Sequence, residues 1–245
     1  MRLRLCGFCK KVMAMTDISK LCWICGEIAT TGEHLHKKTD VVAMFGDKFS
    51  KRVVRTNLEG KDKKFIQSPN SKELMFRNNL CAKCNNETTQ PFDRAYVMFA
   101  DYIRKNLSML TRELEINLNL IFGKRDAKEK QQNLFRYFAK AFGCRLHDAG
   151  LSVPQALKDI FGGANYGNTY RVCVCLNSEK LGGLSIFPLE GDQNERGESI
   201  DYYWVQDNGW FTVVHAYNRQ IPSEYGDEWF GKSKRIVVGK WLDLP

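Results

Sequence analysis

Three pairs of cysteines, each with two residues between its members, are the first feature of this 245-residue chain that could do chemistry. Thiolates bind zinc, and structural zinc sites take four ligands in a tetrahedron. A pair with this spacing supplies two ligands from one short turn, so two pairs complete a site. The pairs are Cys6/Cys9, Cys22/Cys25 and Cys81/Cys84.

The four cysteines of the second and third pairs are the predicted zinc ligands: Cys22, Cys25, Cys81 and Cys84. The first and second pairs together form an alternative site, because the 12 residues between Cys9 and Cys22 are also an acceptable spacing for a zinc ribbon. Cys6 and Cys9 then have no assigned role in the first arrangement, and a redox pair is one further interpretation.

An acidic residue and a histidine, Glu33 and His34, lie between the second and third cysteine pairs, and Asn85 directly follows Cys84. A neutral imidazole can deprotonate water, while carboxylate and amide oxygens can hold a hard divalent cation against a phosphate. Adjacent residues of a strand point to opposite sides, so Glu33 and His34 need irregular backbone, which Gly32 permits. This chemistry is typical of phosphodiester hydrolysis.

The segments CWICGEIATTGEHLHKK and NNLCAKCNNETTQPFD resemble the HNH endonucleases, also called ββα-metal nucleases. The resemblance covers residues 21–100 and is greatest to the zinc-stabilised bacterial and phage branch of the family. This sequence has EH where DH is commoner, and CN where other members have CH. It implies that His34 is the general base and that Glu33 and Asn85 hold a catalytic Mg²⁺ or Mn²⁺. The four cysteines would then hold a structural zinc ion without a catalytic part.

Two features of the sequence depart from that family. The middle asparagine of the family pattern falls at Phe76, so Asn78 or Asn79 would have to take its role. The long interval between His34 and Asn85 requires residues 38–77 to be an insertion. For the endonuclease, the resemblance implies a phage or prokaryotic defence, restriction or homing context. A catalytically inactive, zinc-stabilised nucleic-acid-binding or adaptor protein is the alternative function.

Basic charge is concentrated in the first part of the chain. Residues 1–150 carry a net charge of +12 and residues 151–245 a net charge of −3, which together give the overall +9. An excess of this sign favours a nucleic-acid partner, DNA before RNA. The predicted phosphate-binding residues are Lys37, Lys38, Lys51, Arg52, Arg77 and Lys83. His36, beside two lysines, is interpreted as a solvent-facing residue, with phosphate or metal binding as the alternative.

The resemblance implies a zinc-stabilised ββα-metal nuclease domain over 1–100. The pattern of apolar residues predicts that a helical connector over 101–165 and a β-rich domain over 166–245 follow it, so the expected fold class is α+β. Spacings of three and four residues predict one long helix or two successive helices over 91–121. A second helix is expected to end at Gly143, and a short helix that begins at a proline follows within 149–163. A hairpin is expected at DNG, residues 207–209.

The C-terminal part offers the least functional information. Its aromatic residues are interpreted mainly as core, and Cys173 and Cys175, in an alternating run, as small buried hydrophobic residues. The absence of a long apolar stretch excludes a membrane-spanning helix, and the lysines near the N-terminus argue against a signal peptide. We therefore expect a cytoplasmic protein with reduced cysteines and a homodimer as one assembly compatible with double-strand cleavage.

Overall fold

A computed structural model describes residues 20–49, 53–55, 64–163, 168–177, 183–194 and 199–240. Helices and strands are both abundant, so the predicted α+β class is confirmed. The helices are α1 (Lys38–Phe45), α2 (Gln90–Glu113), α3 (Leu118–Phe122), α4 (Ala127–Asp148) and α5 (Gln155–Gly162). The strands are β1 (Val53–Arg55), β2 (Lys64–Ile66), β3 (Glu115–Asn117), β4 (Tyr170–Leu176), β5 (Ser185–Gln193), β6 (Ser199–Asp207), β7 (Phe211–Tyr217), β8 (Arg235–Val237) and β9 (Gly239–Lys240).

A five-stranded sheet with the order β5-β6-β7-β4-β9 forms most of the C-terminal part. Its neighbours are antiparallel except for β4 and β9, which run parallel. The predicted hairpin joins β6 to β7, and Asp207 pairs with Thr212 at its end. Gly209 has a φ of +82°, and its N–H donates to the Asp207 carboxylate over 2.8 Å.

The long helices α2 and α4 pack together and against one face of this sheet. The largest cluster of buried apolar residues extends along the chain from Phe92 to Val238. This cluster therefore crosses both boundaries of the three-part division expected from the sequence. Cys173 and Cys175 lie in a smaller cluster on β4 and are fully buried, as their alternating pattern predicts.

The helical expectation over 91–121 is only partly met. Helix α2 ends at Glu113, Leu114 takes a left-handed conformation with a φ of +54°, and β3 follows before α3 begins. Strand β3 pairs antiparallel with β8, which lies more than a hundred residues later in the chain. This long-range pairing ends the helix, and the local pattern of apolar residues carries no information about it.

Helix α4 does not end at Gly143 but continues to Asp148. A Cβ atom added to Gly143 would lie 2.5 Å from the ring of Trp23, far inside normal contact distance. The glycine is therefore explained by the close approach of an aromatic side chain and not by a helix end. The short helix α5 does begin after a proline, Pro154, and ends before Gly163 in a left-handed conformation, as predicted.

Among the described helices, none is both long and apolar enough to cross a bilayer.

Candidate active site and metal centre

The sulfur atoms of the second and third cysteine pairs meet in one place. All four lie within 4.8 Å of one another, and the Sγ atoms of Cys25 and Cys81 are 3.6 Å apart. Zinc–sulfur bonds of about 2.3 Å in a tetrahedron place sulfur atoms roughly 3.8 Å apart, so this cluster has the dimensions and the donor chemistry of a Cys₄ zinc site. The alternative arrangement involves Cys6 and Cys9, which lie outside the described residues.

In the pair Cys81/Cys84, a backbone hydrogen bond favours the thiolate form of Cys81, whereas burial raises the pKa of Cys84. Cys84 begins a π-helical turn over Cys84–Thr88, and its N–H donates to the Sγ of Cys81 over 3.4 Å. This hydrogen bond lowers the pKa of the Cys81 thiol. A deprotonated sulfur is the form that binds a metal ion.

Trp23 connects the cysteine cluster to the helical core. Its indole N–H donates to the Sγ of Cys144 over 3.4 Å, and its ring meets Phe161 edge to face with centroids 5.3 Å apart. Because Trp23 lies between Cys22 and Cys25, these contacts fix the first ligand pair against α4. The cysteine cluster therefore positions the segment that follows Cys25 in the chain relative to the helical core.

Two arms of the chain, residues 31–36 and 74–80, form an irregular antiparallel hairpin next to the cysteines. The N–H of Phe76 donates to the carbonyl of Glu33 over 2.9 Å, and the N–H of Thr31 to that of Leu80 over the same distance. A Cβ atom on Gly32 would lie 2.2 Å from the Phe76 carbonyl oxygen. Gly32 is thus explained by close contact between the arms.

The segment between these arms, residues 37–73, is called the insertion. Isolated bridges pair Thr31 with Leu80 and His34 with Met75, so the chain leaves the hairpin after the first arm and returns to it at Leu74. Within that segment, α1 is tied to α2 through Asp40, which accepts hydrogen bonds of 2.6 Å from both Tyr96 and Arg104.

A cleft of about 500 Å³ opens between the first arm, the π-helical turn and the start of α2. It brings together the three residues that the sequence predicts to be catalytic, although 50 residues separate the pair from the third. The polar residues on its wall include Thr31, Glu33, His34, Lys37, Asn78, Asn85, Asn86 and Asp93.

His34 is held as a neutral imidazole. Its ring hydrogen-bonds to the backbone of Pro69, which offers only a carbonyl, so the nitrogen involved must carry the proton. The other nitrogen, Nε2, is buried and has no hydrogen-bond partner among the described residues. Burial lowers the pKa of His34, the Glu33 carboxylate opposes this shift and the Lys37 ammonium adds to it. The free lone pair of Nε2 is suited to accept a proton.

Asn85 lies in the π-helical turn directly after Cys84. Its Nδ2 group donates to the hydroxyl of Thr31 over 3.2 Å, which fixes the side-chain amide against the first arm. Of the two candidates for the middle asparagine, Asn78 is exposed on the cleft wall, whereas Asn79 is fully buried and donates to the Cys144 carbonyl over 3.4 Å. Phe76 is buried in the hydrophobic cluster around the cysteines.

The carboxylate of Glu33 belongs to a four-residue charge cluster that sequence reasoning did not find. Lys140 of α4 is fully buried, and its Nζ lies 2.7 Å from both Glu33 Oε2 and Asp93 Oδ1. The Nζ of Lys37 lies 2.9 Å from Asp93 Oδ1 and 3.5 Å from Glu33 Oε1. Burial alone raises the pKa of Glu33, but Lys140 and Lys37 outweigh it and lower this pKa to about 2.

Asp93 therefore does more than complement the dipole of α2, the role that its place in the first turn suggests. Lys140 is the residue that sequence analysis missed altogether. The sequence does contain a hint of its role. Lys140 interrupts a run of apolar residues in α4, and its two neighbours, Ala139 and Ala141, are both buried. A lysine surrounded in this way needs a charged partner.

The donor set of the cleft fits a hard divalent cation. Glu33, Asp93 and Asn85 bring carboxylate and amide oxygens to one wall, and these are the ligands that Mg²⁺ and Mn²⁺ prefer. The Lys37 ammonium lies between the two carboxylates, 2.9 Å from Asp93 Oδ1 and 3.5 Å from Glu33 Oε1. Glu33 and Asn85 are the residues that would hold the ion, together with Asp93.

The predicted phosphate-binding residues have different surroundings. Lys38 and Lys83 are exposed, and Lys37 is part of the charge cluster. Arg77 is exposed but is bound through its guanidinium and its backbone to Asp148. Lys51 and Arg52 lie outside the described residues.

The expectation that His36 faces solvent is wrong. The side chain is buried, and its Nδ1 lies 3.2 Å from Oδ1 of Asn208 in the β6–β7 turn. Gln206 strengthens the same contact, because its Nε2 donates to the carbonyl of Leu35 over 2.7 Å. His36 thus connects the first arm of the hairpin to the sheet.

No protein-family model, curated protein or solved structure matches this chain.

Proposed function

We propose that this protein is an endonuclease that hydrolyses phosphodiester bonds in DNA at the cleft beside the cysteine cluster. The observation that carries the proposal is the state of His34: one nitrogen is hydrogen-bonded to Pro69, and Nε2 is unpartnered among the described residues. A catalytic histidine must present an unprotonated nitrogen to the water that it activates. The DNA-binding role rests on the excess of basic residues in the first 150 residues.

In the proposed reaction, Nε2 of His34 accepts a proton from water as the oxygen of that water attacks the phosphorus. The Pro69 carbonyl keeps the ring oriented and stabilises the imidazolium that forms. A divalent cation, when bound by Glu33, Asn85 and Asp93, supplies electrostatic stabilisation of the phosphate and the leaving oxygen. Exposed lysines such as Lys38 and Lys83 contact the backbone without reading sequence.

We further propose that the four cysteines hold a structural Zn²⁺. This zinc ion would take no part in the hydrolysis, because four sulfur ligands leave a tetrahedral ion without an open position for water or phosphate. Its role is to hold the first arm of the hairpin, which carries His34, against the turn that carries Asn85.

A plasmid-nicking assay tests the proposed activity. His34→Ala should reduce Mg²⁺- or Mn²⁺-dependent nicking of supercoiled DNA by about 10²-fold or more, since it removes the general base. Zinc content, measured by inductively coupled plasma mass spectrometry, should stay at the wild-type value. The matched control is His147→Gln, which removes a histidine of α4 that does not line the cleft and should leave nicking unchanged. Undiminished cleavage by His34→Ala would contradict the assignment.

The second candidate function is a zinc-stabilised nucleic-acid-binding or adaptor protein without catalysis. The ion pairing of Glu33 favours it, since both carboxylates of the cleft are engaged by lysines. Salt-dependent binding of duplex DNA, with zinc retained and no cleavage of DNA or RNA in any divalent metal, would favour this function over the nuclease.

A further inference from the structure

The ammonium group of Lys37 lies where a cation would bridge the two carboxylates of the cleft. It contacts Asp93 Oδ1 at 2.9 Å and Glu33 Oε1 at 3.5 Å. Lys140 contacts the same two carboxylates at 2.7 Å from inside the core. The two lysines differ in exposure: the side chain of Lys140 is 0% exposed and that of Lys37 is 16% exposed. Of the two, Lys37 is therefore the one that can leave.

The charge cluster is balanced, since its two carboxylates and two ammonium groups sum to zero. A divalent cation that entered it would meet two like charges and no net attraction. Departure of Lys37 alone changes the sum to −1 and frees carboxylate oxygens, while Lys140 still holds both carboxylates in place. The site then has the charge and the donors that a hard cation requires.

A phosphate group is the partner that can draw Lys37 away. Lysine carries a compact charge on a flexible four-carbon stem, and a phosphate offers that charge a new anionic contact. Lys37 lines the cleft in which the scissile phosphate would lie. The neighbouring Lys38 is exposed and lies outside the charge cluster.

We propose that Lys37 is an exchangeable internal cation that blocks the divalent-cation site until a nucleic-acid phosphate draws it away. Substrate and divalent cation then bind cooperatively, because each makes the other's site available. Linkage requires the effect to be reciprocal. This inference rests on the proposed function for its substrate, but its first test does not depend on cleavage.

The test measures binding of Mn²⁺ to the full-length, zinc-loaded protein from the electron paramagnetic resonance signal of the free ion. All samples carry His34→Ala so that added DNA stays intact. Lys37→Met should bind Mn²⁺ more tightly than its parent by about tenfold or more, the range of strong coupling between two ligands. Lys38→Met makes the same change in net charge one residue away and should bind as the parent does.

Lys37→Gln provides a second variant, which keeps a hydrogen-bond donor for the carboxylates if Lys37→Met proves unstable. Equal Mn²⁺ affinity in the parent and in both Lys37 variants would overturn the proposal. A duplex oligonucleotide, corrected for the Mn²⁺ that it binds alone, should raise the affinity of the parent but not of Lys37→Met. Absence of that increase would overturn the coupling. If Mn²⁺ binds in this pattern but the protein with His34 intact never nicks DNA, the result contradicts the nuclease activity alone.

Discussion

The cleft and the core beneath the sheet bury polar side chains in opposite ways. In the cleft, Lys140 is fully buried and stays charged because Glu33 and Asp93 lie 2.7 Å from its ammonium. Under the sheet, His215 is equally buried, stacks on Trp204 with centroids 4.7 Å apart and contacts the hydroxyl of Tyr170 at 2.9 Å. Burial lowers the pKa of His215 to about 3, so this side chain stays neutral.

This difference shows how stability is distributed between the two regions. The cleft depends on ion pairs between residues that lie far apart in the chain, and removal of Lys140 would leave Glu33 and Asp93 without their buried partner. The sheet region depends on apolar packing, and even its polar atoms Tyr202 Oη and Trp204 Nε1 lack a hydrogen-bond partner among the described residues. The candidate site therefore lies in the region whose stability is more sensitive to the loss of a single side chain.

Removal of the metal should produce the largest effect and should separate the two regions. Structural zinc contributes on the order of 10 kcal/mol in small zinc domains, so a chelator or Cys81→Ser should unfold the hairpin and the cleft. Hydrogen exchange followed by mass spectrometry should then show lost protection over residues 20–36 and 74–89, with protection retained in β4, β6 and β7. Cys175→Ala, which removes a buried cysteine of β4 outside the metal cluster, should keep zinc and protection. Unchanged protection of the arms in the metal-free protein would contradict this prediction.

Lys140→Met tests the charged interior of the cleft. Removal of one partner of a buried ion pair leaves uncompensated charge, so the free energy of unfolding should fall by about 3–5 kcal/mol in denaturant titrations. Lys130→Met, which breaks a partly exposed pair with Asp126 on the same helix, should change it by only about 0–1 kcal/mol.

A triple variant that adds Glu33→Gln and Asp93→Asn to Lys140→Met should recover part of the loss, because it removes the stranded carboxylates. If Lys140→Met and the wild type have the same free energy of unfolding, the charge cluster does not stabilise the folded protein.

Low pH should destabilise the protein through the sheet region, where His215 is buried in its neutral form. Below about pH 6.5, the ordinary pKa of histidine, the unfolded chain binds a proton at position 215 that the folded chain does not bind until about pH 3. The free energy of unfolding therefore falls with falling pH, by about 1.4 kcal/mol per unit from this residue. His215→Phe should reduce the slope by that amount between pH 6 and pH 4, whatever its stability at neutral pH. An unchanged slope would mean that His215 is protonated in the folded state.

Sequence reasoning succeeded where the chemistry is local and failed where it depends on distant contacts. Two residues between cysteines fix a ligand pair whatever the rest of the chain does, and the DNG hairpin likewise needs only its own residues. Lys140 and Asp93 meet through the packing of α4 on α2, and a lysine in a helix is normally solvated.

The same distinction explains the elements that were misjudged. Strand β3 exists because β8 pairs with it, and Gly143 lies within α4 because Trp23 fills the space beside it. Neither partner can be identified from the spacing of apolar residues. His36 was assigned to the surface because of its lysine neighbours, whereas Asn208 and the sheet bury it.

The insertion between the two arms of the hairpin also affects how the protein can change over time. Fifty-five residues separate the two clustered cysteine pairs, yet the entropy of closing a loop grows only with the logarithm of its length. Doubling the insertion would cost roughly 0.6 kcal/mol, provided that α1 keeps its anchor through Asp40. Segments of different length and sequence can therefore be exchanged at this position while the two arms of the hairpin keep their geometry.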